Sequence, residues 1–406
     1  LRFTAIFTGM LARNHPNIPA ESHQRRASFQ KTLVWVSCWL ALQAVILTAC
    51  SPSAASVASS KVIPSPVVQH SATPSSTAFL PPTVEPTPAQ PSATPGPSPT
   101  PAALPVFRAP SLIRGIAPVT YLADACQAMQ YRWDPARAPI GTMVVPVMYH
   151  SVVKDGRALA DNMSIHEADL KAFMEEAKRL GYETITTAQL LDFLQNNTRI
   201  PERSLLLIID DRRQGVVWNN FMPYLQENQW TVTLAYITGP VVSEQEWSEL
   251  KRLNDTGFVD VQAHGYLHNG ESYITEFTSP EIVTQELVKP IEQLQKYLGK
   301  TPIAFIWPGG NYTPQAVQEA RAKGYQLGFT VRARGPILFN WIPQGDEEAP
   351  SADPLLTLPR YWSTNAYNAL YDAIRISDEV RQYAEQHKMI EMAWYKSNCK
   401  GYPAIP

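Results

Sequence analysis

The chain has 406 residues, 45% of them hydrophobic and 17% charged, with a formal net charge of -2. That is enough apolar material for one large domain with accessory segments, or for two medium domains. A near-neutral balance offers nucleic acid no basic face. The cysteines Cys38, Cys50, Cys126 and Cys399 include no CxxC pair, which argues against a zinc ribbon or a thioredoxin-like motif.

In chain order, the basic residues Arg25, Arg26 and Lys31 precede an uncharged apolar run over 33–47. The run is shorter than the roughly twenty residues of a membrane helix and suits the core of a secretory signal. It ends in Leu47-Thr48-Ala49-Cys50, which resembles the bacterial lipobox. Residues 1–50 are therefore expected to be a lipoprotein signal peptide, with Cys50 lipidated and the rest of the chain extracytoplasmic and tied to the membrane by that lipid. An uncleaved membrane anchor is the alternative. Residues 51–110 are rich in Ser, Pro, Thr and Ala. They carry too little apolar bulk to offset the entropy of ordering, and their prolines favour an extended spacer.

A folded domain is expected over 111–406, with its core at about 143–365. Cys126 and Cys399 are the cysteines left in that exported domain and flank its two ends, so a disulfide between them is expected in an oxidising compartment. Two buried free thiols are the alternative. The run MVVPVMY over 143–149 reads as a buried strand. Apolar residues at three- and four-residue spacing predict a helix over 167–180, closed by Gly181. Further strands are expected over 205–209, 232–237, 258–261, 303–307 and 325–331, with a short last one over 355–358. Helices are expected over 219–228, 246–254, 280–298 (with Pro290 inside) and 314–323. Strands alternating with helices imply a parallel sheet. Seven or eight such units suit an α/β fold of the closed or nearly closed (β/α) barrel type. An open doubly wound sheet is the alternative, but no Gly-rich dinucleotide loop follows the first strand.

In a parallel barrel the functional groups gather just past the C-terminal strand ends. Those positions hold His150, Asp210, Asp211, His264, His268, Trp307, Pro308, Arg332 and Arg360. Asp210 and Asp211 end the apolar run 205–209. Adjacent buried carboxylates repel unless a cation or a proton-transfer role compensates, and successive strand side chains point opposite ways. One could bind a metal while the other faces a water, although a solvated turn is also consistent. The HxxxH spacing of His264 and His268 places both rings on one face of a helical turn. Two imidazoles and one carboxylate leave coordination positions open, as a catalytic divalent ion requires. Trp307 and Trp362 are candidate sugar-stacking faces.

The order Met148-Tyr149-His150, Leu206-Leu207-Ile208-Ile209-Asp210-Asp211, His264-x-x-x-His268 and Phe305-Ile306-Trp307-Pro308-Gly309-Gly310 resembles the polysaccharide deacetylase family, the NodB-homology domain. The resemblance covers about 143–365. It implies a distorted (β/α) barrel of seven or eight units and hydrolysis of N-acetyl, or sometimes O-acetyl, groups on a glycan. Peptidoglycan, a chitin-like polymer or an exopolysaccharide would be the partner. It implies Asp210 as general base and Asp211, His264 and His268 as ligands of a divalent metal, Zn2+ with Co2+ or Ni2+ as alternatives. Trp307, Pro308 and Arg360 are expected to contact substrate. The chain departs from the family pattern at Ile208, Ile209 and Arg212, where the family has Thr, Phe and Gly, and at Gly265, where Ser or Thr is usual. It has no late Leu-x-x-His motif. His150, which ends the first strand, is the expected general acid, and His387 is the other candidate. The alternative function is a catalytically inactive glycan-binding or envelope-assembly module.

Mass spectrometry of membrane-associated protein should find the mature chain starting at a lipidated Cys50. An intact N-terminus upstream of residue 50 would refute that reading.

Overall fold

A computed structural model describes residues 104–268 and 273–405. The expected signal segment, Cys50 and the linker as far as residue 103 lie outside the described residues. Among the described residues no helix is long and apolar enough to cross a membrane.

The domain is an α/β fold around a curled parallel sheet. Strands β1 (Met143–Tyr149), β2 (Arg203–Ile209), β3 (Val232–Tyr236), β4 (Val259–Ala263), β5 (Ala304–Ile306) and β6 (Leu327–Phe329) lie side by side in that order, all parallel. The free edge of β1 takes two short partners. Ile337–Leu338 pairs antiparallel with its first half, and β7 (Tyr361–Trp362) pairs parallel with its second. Pro146, which has no N–H to give, falls at the break between those partners, where a proline is tolerated. Leu358 bridges to Phe329, and its N–H donates to the Gly328 carbonyl at 2.8 Å. The segment 358–362 thus joins β6 to β1 and closes a distorted barrel.

Strand alternation sorts the side chains. Val144, Leu206, Ile208, Ala235, Ile306, Leu327, Phe329 and Leu358 form one buried cluster inside the ring. Val145, Val147, Leu205, Leu207, Ile209, Leu234 and Val261 face the surrounding helices. The helices of the domain are α1 (Ala125–Trp133), α2 (Glu167–Arg179), α3 (Thr187–Asn196), α4 (Met222–Asn228), α5 (Glu244–Asp255), α6 (Pro280–Leu298), α7 (Pro314–Ala322) and α8 (Ala366–Asn398). Helix α3 is capped by a reciprocal Thr186–Gln189 box. The Thr187 hydroxyl at its start donates to Asp260, and Thr187 accepts from Gln262, so this helix meets the inner face of β4 at the end opposite the strand C-termini.

Three expectations are corrected. The helix expected over 219–228 is broken into a short turn Gln214–Val216, a π-turn Val217–Phe221 and α4. Pro223 has no N–H to bond back to Asn219, and the Met222 N–H reaches the Val217 carbonyl instead. The strand expected over 355–358 begins as a 3-10 turn, Pro354–Leu356, and the paired segment comes a few residues later. The core does not stop near residue 365. Helix α8 runs 33 residues and buries Ala369, Leu370, Ala373 and Ile376 against β1 and α2, with the Tyr182 hydroxyl donating to the Leu370 carbonyl at 2.7 Å.

The Cys126 and Cys399 sulfurs are bonded, with Cα atoms 5.5 Å apart and a sequence separation of 273 positions. The bond ties α1 to the end of α8 beside Met129 and Tyr395. Closing so long a loop restricts the unfolded chain. Reduction, or Cys126→Ala with Cys399→Ala, should therefore lower unfolding free energy by about 2–5 kcal/mol. Chemical denaturation with and without reductant checks this, and an unchanged midpoint would contradict it.

Candidate metal centre and catalytic cluster

The functional side chains converge at the C-terminal ends of β1, β2 and β4, with Arg360 reaching in from the residue before β7. Asp210 continues the inward parity of Leu206 and Ile208 and is 2% exposed. Its N–H donates to the Tyr149 carbonyl at 2.9 Å, extending the β1–β2 ladder one step. Arg360, 0% exposed, donates from Nη1 to Asp210 Oδ1 at 2.7 Å and from Nε to the Thr330 carbonyl at 2.7 Å. The other carboxylate oxygen, Oδ2, faces His150 Nε2 at 3.8 Å and His264 Nε2 at 4.0 Å. Burial by itself would push the Asp210 carboxyl up. Arg360, then His264 and His150, outweigh it and hold the carboxyl at about 2.

Asp211 leaves the strand at φ 71°, a left-handed conformation that non-glycine residues adopt at a cost of about 1–3 kcal/mol. The turn brings its carboxylate to the two imidazoles rather than to Arg360. Oδ1 stands 3.7 Å from His264 Nε2 and 3.7 Å from His268 Nε2. One ligand atom from each of Asp211, His264 and His268 lies within 4.8 Å of the others. The second oxygen of Asp211 faces Arg213 at 3.5 Å.

His264 follows directly on β4 and is 1% exposed. Its Nδ1–H donates to the Ile306 carbonyl of β5 at 2.8 Å. That bond fixes the tautomer and leaves the Nε2 lone pair aimed at Asp211, the arrangement of a metal-ligating histidine. Burial, above all, depresses this imidazole to about 4, so it is neutral and able to ligate at pH 7. The expected helical turn between the histidines is corrected. Gly265 has φ +78° and His268 φ 41°, so the segment is an irregular bend with left-handed residues at 265 and 268 rather than a helix. The ring centroids are still 4.6 Å apart. Donors about 3.7 Å apart can share an ion bound at about 2.0–2.2 Å with little movement, and a set of two histidines and one carboxylate suits a divalent cation with open positions.

Three substrate-contact expectations are corrected. Trp307 is 0% exposed, packs against Phe305, and its Nε1–H donates to the Leu356 carbonyl at 2.8 Å, so it has no free face for a sugar. Pro308 is buried and lies against Gly265, where it supports the metal turn. Arg360 is committed to Asp210, and its Nη2 is buried without a hydrogen-bond partner among the described residues. Trp362 is half-buried and donates to the Val331 carbonyl at 3.0 Å. His387 sits on α8, its ring stacked on Tyr383 and its Nδ1–H donating to the Tyr383 carbonyl. Arg212 does not crowd the triad. Its Nε–H donates to the Ile237 carbonyl at 2.9 Å, bracing the Asp211 turn against the end of β3.

Sequence reasoning misses Glu286. It is 0% exposed and accepts the N–H groups of Tyr266 and Leu267, two of the residues between the histidines. The signal is legible in α6. Glu286 interrupts the apolar stripe of Val283, Leu287, Pro290 and Leu294, and a carboxylate on a buried stripe needs partners.

Residues 197–328 match the family model described as Polysaccharide deacetylase. The family-level link is to the polysaccharide deacetylases. That stretch holds Asp210, Asp211, His264 and His268, while His150 and Arg360 come from outside it. Two curated relatives are poly-beta-1,6-N-acetyl-D-glucosamine N-deacetylases of Escherichia coli, from O157:H7 at 21% identity and from strain K12 at 20%, each over 229 residues. The alignment covers 47% of this chain and 34% of either relative, so the chain spans about a third of their length. Similar solved structures include the Streptococcus pyogenes deacetylase PplD in complex with acetate, with 21% identity, TM-score 0.46 and coverage of 56% of this chain and 98% of that one. A de-N-acetylase from Aggregatibacter actinomycetemcomitans has 16% identity, TM-score 0.45 and coverage of 57% and 99%.

The Arg360–Asp210 pair yields a stability test. Arg360→Leu leaves a buried carboxylate uncompensated and should destabilise by about 3–5 kcal/mol, whereas Arg360→Leu with Asp210→Leu should recover most of that loss. Urea denaturation of the two variants measures it. A double variant that is simply the sum of the singles would argue that the two groups are not energetically paired.

Proposed function

We propose that this domain is a metal-dependent hydrolase that removes acetyl groups from an extracytoplasmic glycan, with the N-acetyl amide as its first substrate class. The carrying observation is one geometry. A triad of two histidines and one carboxylate stands beside a second carboxylate that an arginine keeps ionised. The family-level match and the names of the curated relatives support the glycan class, and lipid attachment at Cys50 would hold the domain at the membrane.

A divalent cation held by Asp211, His264 and His268 would polarise the acetyl carbonyl and acidify a water. The protein groups divide the remaining work. Arg360 occupies Oδ1 of Asp210, so only Oδ2 can accept the proton that water gives up as its oxygen bonds to the carbonyl carbon. A carboxyl held near 2 is always ionised as acceptor, although so weak a base has less driving force for proton transfer. His150, with Nε2 3.8 Å from Oδ2, would give a proton to the leaving nitrogen as the C–N bond breaks. The products are acetate and a free amine.

The inactive-module alternative rests on Arg212 and on the missing late histidine. Arg212 turning to Ile237 and His150 standing at Asp210 both favour the active reading.

The roles of the two adjacent carboxylates are separable. Asp210→Asn should keep bound metal and lose turnover by about 10²–10⁴-fold, the usual size of a general-base contribution. Asp211→Asn, His264→Ala and His268→Ala should each weaken metal binding itself. Metal content by mass spectrometry and acetate release from chitin oligomers and peptidoglycan measure the two effects. A chelator should abolish release, and Zn2+ or Co2+ should restore it. Loss of metal in Asp210→Asn with retention in Asp211→Asn would reverse the assignment. A wild-type domain that takes up no metal would end the hydrolase reading.

A further inference from the structure

Both histidines of the triad depend on backbone that leaves the sheet after β4. His264 is fixed by its own bond to Ile306. His268 lies four residues further on, at φ 41°, beyond a glycine at φ +78°. A turn of this shape exposes peptide N–H groups that neither sheet nor helix satisfies, and buried donors of that kind need partners.

Glu286 supplies both partners. Tyr266 N–H donates to its Oε2 at 2.8 Å, and Leu267 N–H donates to its Oε1 at 2.8 Å. Each carboxylate oxygen therefore holds one peptide of the stretch that connects the two histidines. The approach is close. A Cβ on Gly265 would stand 2.5 Å from Oε2 and 3.1 Å from the Pro308 ring, which is why neither Ser nor Thr fits at this position in this chain. The carboxylate arrives from the middle of α6, a 19-residue helix whose neighbouring Val283, Leu287 and Leu294 are buried in the core, so its anchor is rigid. Burial pushes its carboxyl up, and the Leu267 and Tyr266 amides oppose that shift.

We propose that Glu286 is the positioning residue of the turn between His264 and His268, and that through this turn it sets the affinity of the metal centre. The proposal rests on the metal-centre reading above. Glu286 does not reach the ligand atoms. It acts by holding the two peptides between the ligands, and only a group that accepts two N–H bonds at once can do so.

Glu286→Gln preserves volume but puts an amide NH2 against one of the two N–H donors. Zn2+ affinity, measured by competition with a chromophoric chelator, should fall by about 10–100-fold, the range seen when groups behind metal ligands are altered. The visible spectrum of the Co2+-loaded protein should change in intensity, because His268 reaches the ion from a shifted position. Amide exchange at Tyr266 and Leu267 should speed up even without metal. Glu391→Gln is the control, since that carboxylate is also buried but is bonded to Trp133 and Arg132 far along the chain, and its metal affinity should match wild type. Unchanged Zn2+ affinity and unchanged exchange in Glu286→Gln would overturn the proposal. Should Glu286→Gln not fold, Glu286→Asp takes its place. One carbon shorter, it can hold only one of the two peptides, and wild-type affinity in that variant would overturn the proposal equally. A wild-type protein that binds neither Zn2+ nor Co2+ sinks the metal reading instead, a result that exchange at Tyr266 and Leu267 keeps distinct from the role of Glu286 in the turn.

Discussion

The mouth of this barrel contains a carboxylate almost wholly withdrawn from bulk solvent. Taking an isolated carboxylate out of water costs several kcal/mol even after relaxation, and Asp210 is all but fully enclosed. The guanidinium of Arg360 compensates it, and the position of Arg360 is what links chemistry to fold. Arg360 lies in the segment that joins β6 to β1. Its Nε–H donates to the Thr330 carbonyl just past β6, and its Nη1–H donates to Asp210 at the end of β2. The segment that closes the ring is also the segment that neutralises this carboxylate. An unclosed sheet would leave Asp210 without its counter-charge, and an uncharged residue at 210 would leave the guanidinium buried alone.

That pairing also explains how two adjacent carboxylates coexist. Like charges on neighbouring residues ordinarily drive one of them to take a proton. In this barrel the environments are pulled apart. Asp210 keeps the strand's inward parity and meets a fixed cation. Asp211 breaks parity with a left-handed φ and meets two imidazole nitrogens and, on its outer oxygen, Arg213. One carboxylate has its charge balanced by the protein. The other presents its charge to a site where an added cation would complete the balance. Residues with matched identity and adjacent numbers thus acquire different chemistry from one backbone torsion.

Much of this is legible in the sequence, for a definite reason. The runs over 143–149 and 205–209 are apolar on both faces, and a strand buried on both faces has little freedom in register or end point. The residues that follow it land at a predictable height, which places His150, Asp210 and Asp211. The failures come where a residue type has two opposite uses. Trp307 follows a strand as a sugar-stacking tryptophan would, but its indole N–H has an acceptor in Leu356, and that bond makes it core. Arg360 looks like a ligand for substrate because its partner is 150 residues away in sequence, and no local pattern announces a pair at that distance. The turn between the histidines looks helical because three intervening residues fit that period. Gly265, a departure from the family pattern, is the residue that shows the period is not helical there.

The β4–β5 junction explains why one triad histidine needs an external brace and the other does not. Between these strands the ladder has only the Ala263–Phe305 pair. Side chains make up the rest. Gln262 Oε1 accepts the N–H groups of Ile303 and Ala304, and His264 Nδ1–H bonds the Ile306 carbonyl. His264 is therefore part of the sheet, and moving its ring would open the seam between two barrel strands. A ligand fixed in this way is already oriented before any ion arrives, which removes an ordering cost from binding. Among the described residues His268 has no such anchor in the sheet. Its place depends on a turn whose peptides belong to no regular element, and on a carboxylate brought in from a separate helix. The affinity of a site assembled from one fixed and one braced imidazole is then set less by the strength of either ligand than by how well the second is held in the place the first has defined.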